Sequence, residues 1–162
     1  MYYCKNFLCA AVVLMLMPNS IANAQELFRI QSNASQKCFD IPNGNRNNNI
    51  PLNQFRCDGT PEQNFYIRET GGGYANVISA STGKCMDIPN GSTLNGIGVN
   101  QFECDGSAEQ QFRVEEYDDG TFDIIARHSG KCLEVPGGSQ EDNLQIVQRT
   151  CNNSLEQGFR FY

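Results

Sequence analysis

Lys37-Cys38-Phe39-Asp40-Ile41-Pro42, Lys84-Cys85-Met86-Asp87-Ile88-Pro89 and Lys131-Cys132-Leu133-Glu134-Val135-Pro136 are one pattern written three times, at intervals of 47 residues. Each opens a segment that reaches a second cysteine 19 positions later, at Cys57, Cys104 and Cys151. The same interval relates Gln63, Gln110 and Gln157 and, two positions on, Phe65, Phe112 and Phe159. Three such repeats fill the stretch from Gln25 to Tyr162 almost completely, with bounds at about 26–70, 71–117 and 118–162. Six cysteines admit many pairings, but repetition favours the one that every unit makes internally: Cys38–Cys57, Cys85–Cys104 and Cys132–Cys151. Each bridge closes a loop of about 20 residues, worth roughly 3 kcal/mol in the loop-entropy account. Metal binding by these cysteines is disfavoured, because no CxxC spacing occurs and His128 is the single histidine, so no metal and no cofactor are expected.

Working outward from the cysteines, each repeat reads as four short strands broken by turn residues. In the first repeat these are Leu27 to Gln31, Lys37 to Ile41, Leu52 to Arg56 and Asn64 to Arg68, and the threefold pattern predicts about twelve in all. Pro42-Asn43-Gly44 and Pro89-Asn90-Gly91 mark tight turns, since Gly and Asn tolerate positive φ. No stretch from Gln25 onward holds a helical apolar period for three turns. One repeat cannot bury its own apolar face whereas a ring of three can, so an all-β closed architecture is expected.

The N-terminus reads as an export signal over residues 1–24. Lys5 supplies the positive region, Leu8 to Met17 the apolar core, and Ala22-Asn23-Ala24 a small-x-small cleavage site. The apolar run is too short to span a bilayer, which takes about 20 residues, and no membrane insertion is expected. Cys9 lacks the preceding small residue that lipoprotein processing expects. The remaining chain is the size of one domain. It keeps 18 acidic residues and, without Lys5, 11 of the 12 basic ones, a balance that disfavours nucleic acid as a partner. An even cysteine count in an exported chain favours disulfides and a secreted location, extracellular or, in a bacterium, periplasmic. Asn33-Ala34-Ser35, Asn90-Gly91-Ser92 and Asn152-Asn153-Ser154 are glycosylation sequons, usable in a eukaryotic source.

Gln63-Asn64-Phe65, Gln110-Gln111-Phe112 and Gln157-Gly158-Phe159, each in register with a cysteine pair, resemble the Gln-x-Trp signature of ricin B-chain-type lectins, including the family 13 carbohydrate-binding modules, with Phe in place of Trp. The Lys-Cys-Φ-Asp/Glu-Φ-Pro run and the aromatic Phe102, two residues before Cys104, are further shared marks. The likeness covers residues 25–162 and implies a β-trefoil whose Phe65, Phe112 and Phe159 form the core. It also implies sugar sites, each built within one repeat from an acid after the first cysteine, a polar residue and an aromatic on the following strand, and the polar pair opening the signature. In the first repeat these positions hold Asp40, Asn53, Phe55, Glu62 and Gln63; in the second, Asp87, Asn100, Phe102, Glu109 and Gln110. The chemistry suits a saccharide, which offers an apolar C–H face to a ring and adjacent hydroxyls to a carboxylate. By the resemblance, Gln63 and Gln110 hold the Asp in place.

The third repeat has Glu134, Val147 and Arg149 at the acid, polar and aromatic positions, and is expected to bind sugar weakly or not at all, with Glu134 and Arg149 forming a structural pair. Strand parity leaves one alternative open: Asn53, Phe55 and Cys57 share a face, the opposite face holds Leu52 but also Gln54, and so Phe55 and Phe102 are either ligand platforms or partly core. The implied function is a secreted lectin for galactose-like or related sugars. The competing reading is a trefoil that docks on a separately encoded protein, as an inhibitor or a toxin's targeting subunit. An enzyme is not expected: no nucleophile elbow, phosphate loop or metal motif occurs, His128 beside Ser129 makes no triad, and Asp118-Asp119 reads as a solvated turn.

Overall fold

The computed structural model describes residues 25–162; the expected export signal, with Cys4 and Cys9, lies outside the described residues. The first repeat supplies β1 (Ile30–Ser32), β2 (Cys38–Asp40), β3 (Ile50–Pro51), β4 (Asn53–Phe55) and β5 (Phe65–Gly71). The second supplies β6 (Tyr74–Ser79), β7 (Cys85–Asp87), β8 (Ile97–Gly98), β9 (Asn100–Phe102) and β10 (Phe112–Glu116). The third supplies β11 (Phe122–Ala126), β12 (Cys132–Glu134), β13 (Leu144–Gln145), β14 (Val147–Arg149) and β15 (Phe159–Phe161). Among the described residues, helical structure is limited to single 3-10 turns, and no helix is long and apolar enough to cross a membrane.

The outer strands of each repeat form a six-stranded antiparallel barrel in the order β1, β15, β11, β10, β6, β5. Two backbone hydrogen bonds of 2.9 Å between Phe28 and Phe65 close the ring. The same junction recurs as Phe112 against Ala75 and Phe159 against Phe122. Closure leaves no barrel edge open to pair with another chain.

The inner strands make three hairpins, β2 with β4, β7 with β9 and β12 with β14, that cap one end of the barrel. Twelve strands were expected and fifteen segments form, because the third strand of each repeat breaks at Leu52, Val99 or Ile146. The break has a specific cause. Leu52 N–H donates to the Val99 carbonyl (2.9 Å), Val99 to Ile146 (2.8 Å) and Ile146 back to Leu52 (2.9 Å). These three amides leave their own ladders to bond the next repeat, and so tie the hairpins together around the threefold axis.

The core is stacked in layers of equivalent residues: Ile30, Val77 and Ile124; Phe65, Phe112 and Phe159; Phe39, Met86 and Leu133; Ile41, Ile88 and Val135; Leu52, Val99 and Ile146. The three signature phenylalanines are 0% exposed, each contributing roughly 1.5–3 kcal/mol by burial. The three disulfides pair within repeats as expected, with Cα–Cα distances of 5.0–5.1 Å.

The parity question resolves through three buried glutamines. Gln54, Gln101 and Gln148 are at most 1% exposed and point inward beside Leu52, Val99 and Ile146. A buried amide is tolerable only when its donors and acceptor are satisfied. Gln54 Nε2 donates to the carbonyls of Ser139 and Glu141 (both 2.8 Å), and its Oε1 accepts from Ser35 Oγ (2.7 Å). Gln101 bonds Asn45, Asn47 and Thr82 in the same way, and Gln148 bonds Ser92, Leu94 and Ser129. Each glutamine therefore staples its hairpin to a loop of the preceding repeat. The alternate face, carrying Asn53 and Phe55 or Asn100 and Phe102, is turned away from the core.

Candidate functional site

On that outward face the hairpin register decides what can meet. Asp40 pairs with Asn53 and Cys38 with Phe55, so Asp40 and Phe55 are diagonal neighbours across β2 and β4. The second repeat reproduces this with Asp87, Asn100 and Phe102. Phe55 and Phe102 are half-buried, while Asp40 and Asp87 are each 7% exposed.

Gln63 reaches this face from the 3-10 turn Pro61–Gln63 and is fully buried. Its Nε2 donates to Asp40 Oδ2 (3.3 Å) and the Arg56 carbonyl (2.8 Å); its Oε1 accepts from the Asp58 (3.1 Å) and Gly59 (3.4 Å) amides. One side chain thus orients the acid and pins the chain that follows Cys57. Gln110 does the same for Asp87 (3.1 Å), the Glu103 carbonyl (2.8 Å) and the Asp105 amide (2.9 Å). In both repeats one carboxylate oxygen is held, and among the described residues no donor is bonded to the other.

The electrostatics follow from this packing. Burial pushes the Asp40 carboxyl above the usual carboxylate range; the Gln63 amide opposes the shift, and Asp58 and Glu62 add to it. Asp87 is raised by burial against the Gln110 hydrogen bond, with Glu109 and Asp105 adding and His128 opposing. Asp58 and Asp105 are held low, chiefly by the backbone amide and hydroxyl of Thr60 and Ser107.

Around the first-repeat acid lies a shallow pocket of about 240 Å³, lined by Asp40, Phe55 and Glu62 together with Pro42, Asn43, Asp58, Thr60 and Asn143. Asn43 sits at φ 56 in the Pro42–Gly44 turn, a left-handed conformation that Asn accepts. Asn143, also left-handed at φ 63, comes from the third repeat, its amide bonded to the Gln54 carbonyl (2.9 Å). Asn49 stands in the same relation to the second repeat, bonded to the Gln101 carbonyl (2.9 Å). Asp58, Thr60 and Asn143 escaped the sequence reading; the first two were detectable only as repeat partners of Asp105 and Ser107.

The two constellations are not identical. Gln145 of the third repeat crosses to the second, its Nε2 bonding Asn100 Oδ1 (2.8 Å) and the Val99 carbonyl (3.1 Å). It lies over Gly98, where any Cβ would overlap its amide. Asn53 has no such partner, and its Oδ1 is buried without a hydrogen bond. The third repeat departs furthest. Glu134 is bonded by Gln157 through Oε2 (2.9 Å) and by Arg149 through Oε1 (2.7 Å), so the expected pair forms and both oxygens are taken. His128 is bonded through Nε2 to the Ser92 carbonyl (2.9 Å), linking two repeats.

The family model of the ricin-type beta-trefoil lectin domain matches residues 26–159. Among solved structures, a designed 3-fold symmetric protein, ThreeFoil, is similar at TM-score 0.81 and 28% identity, over 83% of this chain and 96% of that one. An exo-beta-1,3-galactanase from Clostridium thermocellum is similar at TM-score 0.82 and 25% identity over 88% of this chain, which spans 31% of the galactanase. The ricin B-like lectin of Macrolepiota procera, solved in complex with lactose, shares the fold at TM-score 0.72 and 14% identity, over 88% of this chain and 98% of that one. No curated protein sequence matches this chain.

Proposed function

This chain belongs to the ricin-type β-trefoil lectin family, and from that premise we propose that it is a secreted lectin binding galactose-like sugars through shallow sites in its first two repeats. The observation that carries the reading is the same in both: a buried aspartate with one oxygen held by a glutamine, the other unpartnered, and a phenylalanine ring diagonal to it. A sugar ring lays its C–H face on Phe55 or Phe102 while adjacent hydroxyls donate to Asp40 or Asp87. These are charge-assisted hydrogen bonds, roughly twice as strong as neutral ones. Asn53 and Asn100 add donors and acceptors at the far side of the ring, and Glu62 and Glu109 line the lip.

The galactose class is supported by two of the similar structures, whose names speak of lactose and beta-1,3-galactanase. Each aspartate is anchored by the signature glutamine's amide, which suits a group that orients a ligand's hydroxyls. A glycan array tests the reading directly. The account expects signals from galactose-terminated glycans that free galactose competes away and that Asp40→Ala with Asp87→Ala abolishes; signals from no glycan would favour a protein-docking trefoil instead.

A further inference from the structure

Resting on that reading, a comparison of charge among the three repeats narrows the ligand. In the first repeat Asp40, Asp58 and Glu62 line one pocket whose lining contains no Lys or Arg. Asp58 takes the Thr60 amide (3.1 Å), and Glu62 Oε1 lies 3.2 Å from where a Cβ on Gly44 would be, so both carboxylates sit on the turns that frame the pocket. None of the four salt bridges among the described residues involves these acids or their equivalents Asp87, Asp105 and Glu109. The cation beside the first pocket, Arg56, rests over the Phe55 ring at 5.3 Å and helps hold the Asp58 carboxyl low; Glu103 stands at its place in the second repeat, where Asp105 has no such neighbour.

The third repeat shows that the fold does not require this charge. Asn152 replaces Asp58 and Asp105 while its amide keeps the same bond to the signature glutamine (2.9 Å), and Arg149 pairs with Glu134. The third repeat keeps Glu156 at the place of Glu62 and Glu109, but it lacks the third acid and neutralises Glu134 with Arg149, so the excess of negative charge is greatest in the two repeats whose aspartates have no cationic partner. A single ammonium with three donors, carried on a hydroxylated ring, matches both the charge and the shape.

We propose that the first two repeats select sugars bearing a free, protonated amine, a hexosamine unit without its N-acetyl group, with the ammonium set among Asp40, Asp58 and Glu62 or Asp87, Asp105 and Glu109. Neutral hexoses use the same ring platform with fewer charge-assisted bonds. N-acetylation removes the charge and two donors at once.

Calorimetric titration of the protein with galactosamine, N-acetylgalactosamine and galactose, and with the three matching gluco sugars, tests this. The amine of one series is expected to bind roughly tenfold more tightly than its neutral and N-acetylated partners, with the margin shrinking as salt is raised. Asp58→Asn with Asp105→Asn, each tolerated by the fold at Asn152, should erase the margin, so that on the doubly substituted protein the amine binds no more tightly than galactose. Equal or tighter binding of the neutral or N-acetylated sugar, a margin that survives both substitutions, or a requirement for calcium would overturn the inference while leaving a lectin. Binding of no sugar in either series would remove the carbohydrate reading with it.

Discussion

The third repeat and the first two are built on the same skeleton and present different surfaces. Phe159 is as buried as Phe65 and Phe112, Gln148 bonds a neighbouring loop as Gln54 and Gln101 do, and Gln157 holds its acid as Gln63 and Gln110 do. Yet Glu134 is spent on Arg149, Val147 stands where Asn53 and Asn100 stand, and Gly96 takes the place of Asn49 and Asn143. What closes a threefold barrel must be repeated three times, because each layer needs all three members. What faces outward is free to differ, since each hairpin contacts solvent separately. Threefold symmetry in this molecule is kept by the core and the inter-repeat bonds, and the departures from it fall on the outward face of the hairpins.

The strongest way to break this comparison is through the core. Phe159→Ala should cost about 3–5 kcal/mol in denaturant unfolding, as much as Phe112→Ala, although the third repeat, unlike the second, carries no unpaired aspartate. A third-repeat phenylalanine that proved markedly cheaper would mean that the skeleton is not shared equally. Next comes the inter-repeat staple. Gln101→Leu leaves the Asn45 and Asn47 carbonyls and the Thr82 hydroxyl without that partner, and is expected to lose about 1–3 kcal/mol of stability.

A smaller effect separates the first two repeats from each other. Gln145 fixes the Asn100 amide with its nitrogen free to donate, so Gln145→Ala should weaken the second site about fivefold, near 1 kcal/mol, with the first site unchanged. Gly98→Ala should have the same effect by displacing Gln145. Titrations in Asp40→Ala and Asp87→Ala backgrounds read the two sites separately.

The smallest effect is in pH. Because burial raises Asp87 above its ordinary value of 3.8, the folded chain holds more protons than the unfolded one from that value up to the raised one. Stability is therefore lost as pH rises through this window. Asp87→Asn abolishes the loss, so its thermal midpoint should gain on the wild type between pH 3 and pH 7. An unchanged difference would mean that Asp87 titrates as an exposed carboxylate.

The closed all-β ring of three repeats was legible because its evidence is periodic, with cysteines, glutamines and phenylalanines recurring at one interval, and the resemblance to ricin-type lectins narrowed that ring to a trefoil. Which way Phe55 faces was not, because Gln54 is a polar residue on the inward side, and only the loop carbonyls of the preceding repeat explain how it is buried there. Asp40 and Gln63 were readable as partners through the family pattern. Asn143 and Gln145 were not: they lie some ninety and forty-five residues from the groups they adjoin and have no equivalents of the same type in all three repeats.

The central claim is that two of three equivalent hairpins present an unpaired aspartate beside a ring to a sugar. Titration calorimetry with the best ligand from the glycan array counts the sites. The account predicts two sugars per chain, one after either Asp40→Ala or Asp87→Ala, none after both, and two still after Arg149→Ala. Three sites in the wild type, or binding that survives the loss of both aspartates, would contradict it.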